Sequence, residues 1–387
     1  MEVSETEGRK HDLDSDSSVS PMVRESAKLW SRPIEDGSGF EQEFAEYNHY
    51  ILRKVLFIAV CLILAFVSVG YSLTVGAFDI GFFETYGIIW DHITGNVTNV
   101  LYDHVIMQLR MPAIATAFIT GAGLAVCGVA MQSILKNPLA DPYTTGVSSG
   151  AGFGATIAIV YGATFVSGDY SLVLNAFIFA LIPTAIIAMV SKLKNASPTV
   201  MIMSGIAVMY IFNACTTVMK LWATDESLGA IFRWQVGSVS ATTWEQIPIM
   251  LVFVLIGIIL LQFVSSKINL LSTGDENAKA MGLNVEKFRI LCLILVALVS
   301  AAVVSFTGLI GFVGLVAPHI VRLFIGPDNK YLLPASAAFG AALLVAAYTV
   351  GISIIEPTVL QVGVITAFMG GPLFLWLIIR KDSTIWG

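Results

Sequence analysis

Charge is what this chain has least of. Lys, Arg, Asp and Glu make up 12% of its 387 residues, while 56% are hydrophobic and the mean hydropathy is +0.80. A soluble domain carries roughly a quarter charged residues, so that class is excluded. Cysteine is also sparse. Cys61, Cys127, Cys215 and Cys292 all lie in apolar runs without metal-ligand spacing. That excludes a disulfide framework and leaves them as small buried hydrophobes. No GxxxxGK[ST] loop is present, so the chain does not hydrolyse a nucleotide by that route. HExxH, GxSxG and paired-acid constellations are missing too, which leaves an intramembrane enzyme without its parts.

Carboxylates are nearly absent from the centres of the apolar runs. Asp141 sits in a proline-flanked break, Glu356 at the end of a run, and Arg322 near the end of another. Each charge at membrane depth costs roughly 2.5–3.5 kcal/mol and usually marks an ion or proton pathway. A self-sufficient carrier driven by protons or sodium is the competing reading, and this shortage weighs against it. A scaffold or receptor without transport is a third. Nothing points to nucleic acid.

What is present is a succession of apolar runs. At ~20 residues per span there is room for about ten. They fall near 54–76, 110–135, 143–163, 171–191, 199–221, 246–266, 288–307, 309–325, 331–352 and 357–379. The expected fold is therefore an all-α polytopic membrane protein of about ten helices in a multi-pass cell-membrane location. Short cytoplasmic loops retain Lys and Arg. With the N-terminus inside, thirteen basic residues flank the inner side, from Arg53 and Lys54 to Arg380 and Lys381, against Arg110, Lys220 and Arg233 outside. That separation favours both termini in the cytoplasm.

Residues 1–50 stand apart, with twelve of the 27 acidic residues and five of the 21 basic ones. This tail lacks a signal-peptide pattern and reads as mostly disordered, with 51–387 as the membrane domain. Between the first two spans, Gly81–Asp103 reads as an amphipathic interfacial helix carrying Phe82, Phe83 and Trp90. His92 and His104 there read as wetted surface histidines.

The run after Leu109 is rich in Gly and Ala, breaks at Asn137, Pro138, Asp141 and Pro142, and resumes with small residues. Small residues let helix backbones approach closely in lipid, so this reads as packed interior. Between the sixth and seventh spans lies a polar interval with Gly274, Asp275, Glu276, Ala280, Met281, Gly282 and Leu283. Acids suit its helix start, and Gly282 suits its stop. A second short helix near Asn284 would complete a docking platform; an ordinary interfacial loop is the alternative.

Several of these segments resemble one family. LRMPAIATAFITGAGLAVCGVAMQSILKNPLADPYTTGVSSGAGFGA is similar to the LRxPR…NPLAxPxxLGVSSGA signature of the FecCD-type permeases of ABC importers for iron complexes, haem and cobalamin. LLSTGDENAKAMGLNVEKFR resembles that family's coupling loop. SFTGLIGFVGLVAPHIVRLFIGPDNKYLLPASAAFGA and VGVITAFMGGPLFLWLIIRK resemble its later blocks. The resemblance spans about 53–381. It implies a permease homodimer around a central pathway, two cytoplasmic ABC ATPase subunits that hold ATP and Mg, an extracytoplasmic substrate-binding protein, and no cofactor or metal on this chain itself.

It also implies roles. Gly274 to Glu276 and Ala280 to Leu283 would contact the ATPase. Ser197, Pro198 and Thr199 sit where the family has an inner gate. Asn137, Pro138, Asp141 and Pro142 would cap broken helix ends. Gly308, Gly311, Gly314, Pro318, His319 and Arg322 would be structural. Arg110 keeps the first arginine of LRxPR, but Ala113 replaces the second, so Arg110 and Arg233 are the candidates for docking the binding protein.

Overall fold

A computed structural model of the chain describes residues 38–379 apart from 77, 79, 195, 196, 356 and 357. Most of the acidic tail, Glu356 and the Arg380–Lys381 pair lie outside the described residues. The first helix, α1 (Ser38–Thr74), starts near Phe40, so residues 38–50 are helical rather than part of a structureless tail. One compact unit begins at Lys54.

Each of the ten expected spans coincides with a helix. Following α1 come the interfacial α2 (Phe82–Thr94), then α3 (Val100–Ile134), which passes through a π-helical segment at Val105–Arg110. α4 (Val147–Tyr161), α5 (Ser171–Leu193), α6 (Pro198–Lys220), α7 (Asp225–Val236), α8 (Ile247–Phe263), α9 (Ser265–Ser272) and α10 (Asp275–Ala280) follow. The last four are α11 (Val285–Thr307), α12 (Val313–Ile325), α13 (Asn329–Ser353) and α14 (Val362–Ile379). Six are long and apolar enough to cross a membrane alone. α8 and α9 meet at a 56° bend and reach membrane length only when taken together, and α4, α12 and α14 are shorter apolar helices. Among the described residues there is no strand.

Local chemistry sets the boundaries. Ser197 caps α6 by accepting from Val200 N, with Pro198 at the first helical position. Asn284 caps α11 through Lys287 N, and Asp328 caps α13 through Lys330 N. The second platform helix expected near Asn284 is thus corrected. Asn284 starts the spanning α11 directly, and the other short helix is α9, ahead of Gly274.

α3 is the axis of the packing, with 89% of its most apolar stretch buried; in α1 the corresponding share is 17%. It touches α8, α11, α12 and α13. In lipid, burying oily side chains gives no net drive for association, so close packing must supply it. Glycines provide the approach. A Cβ on Gly121 would collide with the backbone of Gly340, and one on Gly128 with the backbone of Gly314. On α4, Gly150 and Gly154 face the α5 carbonyls of Phe179 and Asn175. The helix α2 turns Ile88 inward onto Ile80, Val105 and Ile106, and leaves Phe83 and Trp90 exposed. This agrees with its amphipathic pattern. Tyr86 donates to Gly70 O and ties it to α1.

Gly128→Leu should cost about 1–3 kcal/mol or more, because α3 and α12 must separate to admit it. The check is a thermal melt in detergent with Gly87→Ala as control, since nothing lies within 4 Å of a Cβ at Gly87. A Gly128→Leu protein that melts with the wild type would refute the packing.

Candidate functional site

The polar interval folds into α9, α10 and the turn after them. Gly274 takes φ +128 before α10, and Gly282 takes φ +85 after it. Leu283 N donates to Ala278 O at 3.0 Å and Gly282 N to Lys279 O at 2.9 Å, closing α10 with a Schellman turn that favours glycine. Ala278 is buried, and Leu283 packs partly against the main core. Glu276, Lys279, Ala280, Met281 and Gly282 are exposed, with Met281 at 73%. The loop is mostly polar and presents one large apolar side chain, Met281, beside a turn closed by two hydrogen bonds.

Asp275 makes contacts that the sequence did not reveal. Its carboxylate, 35% exposed, is bonded to two other elements of the membrane domain. Lys136 Nζ donates to its Oδ1 at 2.8 Å, and Arg289 Nη2 donates to Oδ1 and Oδ2 at 2.9 and 3.1 Å. Arg289, 1% exposed, also donates from Nε to Ile134 O at the end of α3. Burial pushes the Asp275 carboxyl upward, but the hydrogen bonds and charges of Arg289 and Lys136 outweigh it and hold it below the ordinary carboxylate value. Its contribution is therefore complete above the ordinary carboxylate range and is lost only as pH falls through the lowered value.

Lys136 takes φ +49. It occupies the left-handed seat that closes α3: Asn137 N donates to Gln132 O and Lys136 N to Ser133 O. Glycine is favoured there, and a side chain costs roughly 1–2 kcal/mol.

In the break motif Asn137 closes a turn and Asp141 caps the element that follows. Asn137 Oδ1 accepts from Leu139 N, and Asp141 Oδ1 accepts from Thr144 N at 2.9 Å to start the short 3-10 turn Pro142–Thr145. Pro138 makes the bend next to Asn137, and Pro142 opens the turn. Tyr143 OH donates to Ile310 O and accepts from Ile310 N, fastening this turn to the segment before α12.

Of the expected gate residues, Ser197 and Pro198 are half-buried and serve as the cap and first residue of α6, and Thr199 is exposed. In the Gly311–Arg322 block, Gly314 packs on α3, while Gly311 has no atom within 4 Å of a Cβ and space gives no reason for it. Pro318 and Arg322 are buried and His319 is half-buried, all on α12. Among the described residues no cluster of His, Cys, Asp or Glu is placed to hold a metal. His92 Nδ1 lies 2.8 Å from Asp103 on the surface.

The docking role of Arg110 is corrected. It is 5% exposed, and its guanidinium donates to Leu73 O at 2.9 Å and Phe78 O at 3.0 Å. The Leu73 carbonyl, left open where α1 ends, draws it inward, and Phe78 O, which also accepts from Ile80 N, holds its other nitrogen. Arg233, on α7, is exposed.

Sequence reasoning missed α7 itself. Its signal was a cap, Thr224 accepting from Ser227 N, with Asp225 and Glu226 in the first turn. It was overlooked because its composition is too polar for an apolar run. α7 ends at Gly237, where its backbone meets those of Leu309 and Gly363. Beside this junction lies an open groove of about 520 Å³ lined by Gln235, Leu309, Val364, Phe368 and Pro372 among others.

Comparison with known proteins agrees with this architecture. The profile of the FecCD transport family matches residues 61–380. A hemin transport system permease protein from Yersinia pestis is 35% identical over 73% of this chain and 86% of its own length. A cobalamin import system permease protein from Halobacterium salinarum is 37% identical over 72% of this chain and 74% of its own. A solved inward-facing structure of a putative metal-chelate type ABC transporter superposes with TM-score 0.74 at 29% identity, over 84% of this chain and 99% of that one.

The inward Arg110 leads to a specific expectation. Arg110→Ala leaves the Leu73 carbonyl without its donor, while Phe78 O keeps its bond from Ile80 N, and should cost about 1–3 kcal/mol. Hydrogen exchange at the end of α1 and the start of α2 should accelerate, while affinity for any outer partner stays within twofold. A loss confined to partner affinity would restore the docking role.

Proposed function

This chain belongs to the FecCD transport family, and on that premise we propose that it is the membrane permease subunit of an ATP-driven importer, working as a pair of copies around a shared pathway. One observation carries the reading: the exposed tip Glu276–Gly282, held on a rigid turn and mounted on the ends of α3 and α11. A chain without a phosphate loop must receive its energy from outside, and this tip is the seat for a cytoplasmic ABC ATPase. ATP and Mg belong to that ATPase, which performs the hydrolysis; this chain is not itself an enzyme.

The groove beside α7 supports a bulky, partly apolar cargo of the metal-chelate, haem or corrinoid class. Its lining is mainly apolar, with one amide from Gln235, so it offers passage without a charged trap. Relatives of equal similarity carry names for hemin and for cobalamin, so the choice among these is delegated to a separate extracytoplasmic binding protein. Arg233, exposed on α7, is our candidate to receive it; exposed ion pairs contribute only ~0–1 kcal/mol each, so docking does not hinge on one arginine.

Reconstitution into vesicles with its ATPase and binding protein should give uptake of one of haem, ferric citrate or cobalamin that requires ATP. Uptake that persists without ATP rules the reading out. Glu276→Lys and Met281→Asp should weaken ATPase retention about tenfold with the bundle intact, as central contacts of an interface do. Retention at full strength by both variants would move the seat elsewhere.

A further inference from the structure

The exposed tip meets a partner, but the part of the platform that faces the membrane domain is polar and directed. We propose that Asp275, Lys136 and Arg289 form a transmission clamp, which makes α10 move with the ends of α3 and α11 when the ATPase moves it. This rests on the reading of the exposed tip Glu276–Gly282 as the ATPase seat.

Three observations converge on it. First, one carboxylate at the start of α10 receives N–H groups from two different spans, Lys136 after α3 and Arg289 in α11, at 2.8–3.1 Å. Second, Arg289 also holds the Ile134 carbonyl at 2.9 Å, so the same guanidinium joins all three elements. A single apolar contact can slide; a forked guanidinium bonded in two directions fixes position and angle. Third, a lysine occupies the left-handed seat that glycine fills at lower cost. Strain of this kind persists where the side chain has a task, and the task visible here is the bond to Asp275.

A second polar knot completes the mounting. Asn269 on α9 donates to Asp328 Oδ1 at 2.7 Å and accepts from Asn329 N and Nδ2 at 2.8 Å. Asn329 Oδ1 accepts from Ser133 at 3.0 Å, which leads back to α3. The platform is thus tied through α10 to α3 and α11, and through α9 to α13 and α3. A push on Met281 is delivered to the most buried helix of the bundle rather than absorbed by a flexible loop.

The experiment uses the full chain with its ATPase in nanodiscs, with Cys215→Ser and a spin label on the exposed Ala241→Cys of each copy. ATP is titrated and the change in label-to-label distance recorded, alongside ATPase retention in a pull-down. Asp275→Asn and Lys136→Gly should retain the ATPase as the wild type does, but need about 3- to 30-fold more ATP for half of the distance change. Asp275→Glu should restore the wild-type midpoint. Lys136→Gly should melt no lower than the wild type, because it relieves the strained seat; a merely structural bond would predict a lower melt and an unchanged midpoint. If Asp275→Asn does not fold, Lys136→Gly decides alone.

Unchanged midpoints in the folded variants overturn the clamp. So does loss of ATPase retention on Asp275→Asn, which would make Asp275 a contact residue instead. A wild type that neither retains the ATPase nor responds to ATP overturns the seat, and the clamp with it.

Discussion

Everything in this molecule depends on backbone reaching backbone along α3. Lipid removes the usual reward for burying apolar side chains against each other, so helices must gain from dispersion and close polar contact. The glycines at 121 and 128 let α13 and α12 approach α3 at their own glycines, Gly340 and Gly314. α3 is closed by Lys136 in its left-handed seat, and the residues of the candidate site gather at that end. Lys136, Asn137 and Ile134 O all belong to the last turn of α3 or the residues just past it. The rigid core and the candidate seat of the motor are one continuous structure.

Charge is distributed by the same logic. A buried ion is costly unless paired and hydrogen-bonded, and Arg289 meets both conditions through Asp275 and the Ile134 carbonyl. Arg110 follows the rule with carbonyls alone, where the end of α1 leaves Leu73 O open. The groove beside α7 takes the opposite course, with a mainly apolar lining and no ion. Fixed charge holds the scaffold, and the lining of the groove carries none.

The legible part of the sequence was the part governed by local rules. Runs of membrane length located ten helices, and the paired prolines located the break between α3 and α4. Gly282 was readable as a helix stop because a left-handed residue has few alternatives. The polar α7 was missed, because a short helix with a single buried residue, Ile231, leaves no apolar run to detect. Asn284 was read as the start of a second surface helix, although its cap opens a spanning one; a cap marks a beginning without stating the length that follows.

Taken alone, the sequence determined the class of the protein, the order of its apolar helices, and the small-residue faces on which they pack. Those follow from length, composition and local dihedral preference, which need no knowledge of distant residues. Only the tertiary structure decided where the charged side chains point. Asp275 and Arg289 are fourteen positions apart, and Asp275 and Lys136 are 139 apart. Arg110 reaches back 37 positions to Leu73. A long side chain on a helix end can face solvent or an open carbonyl. Which one it meets is set by helix packing, and no local pattern encodes that.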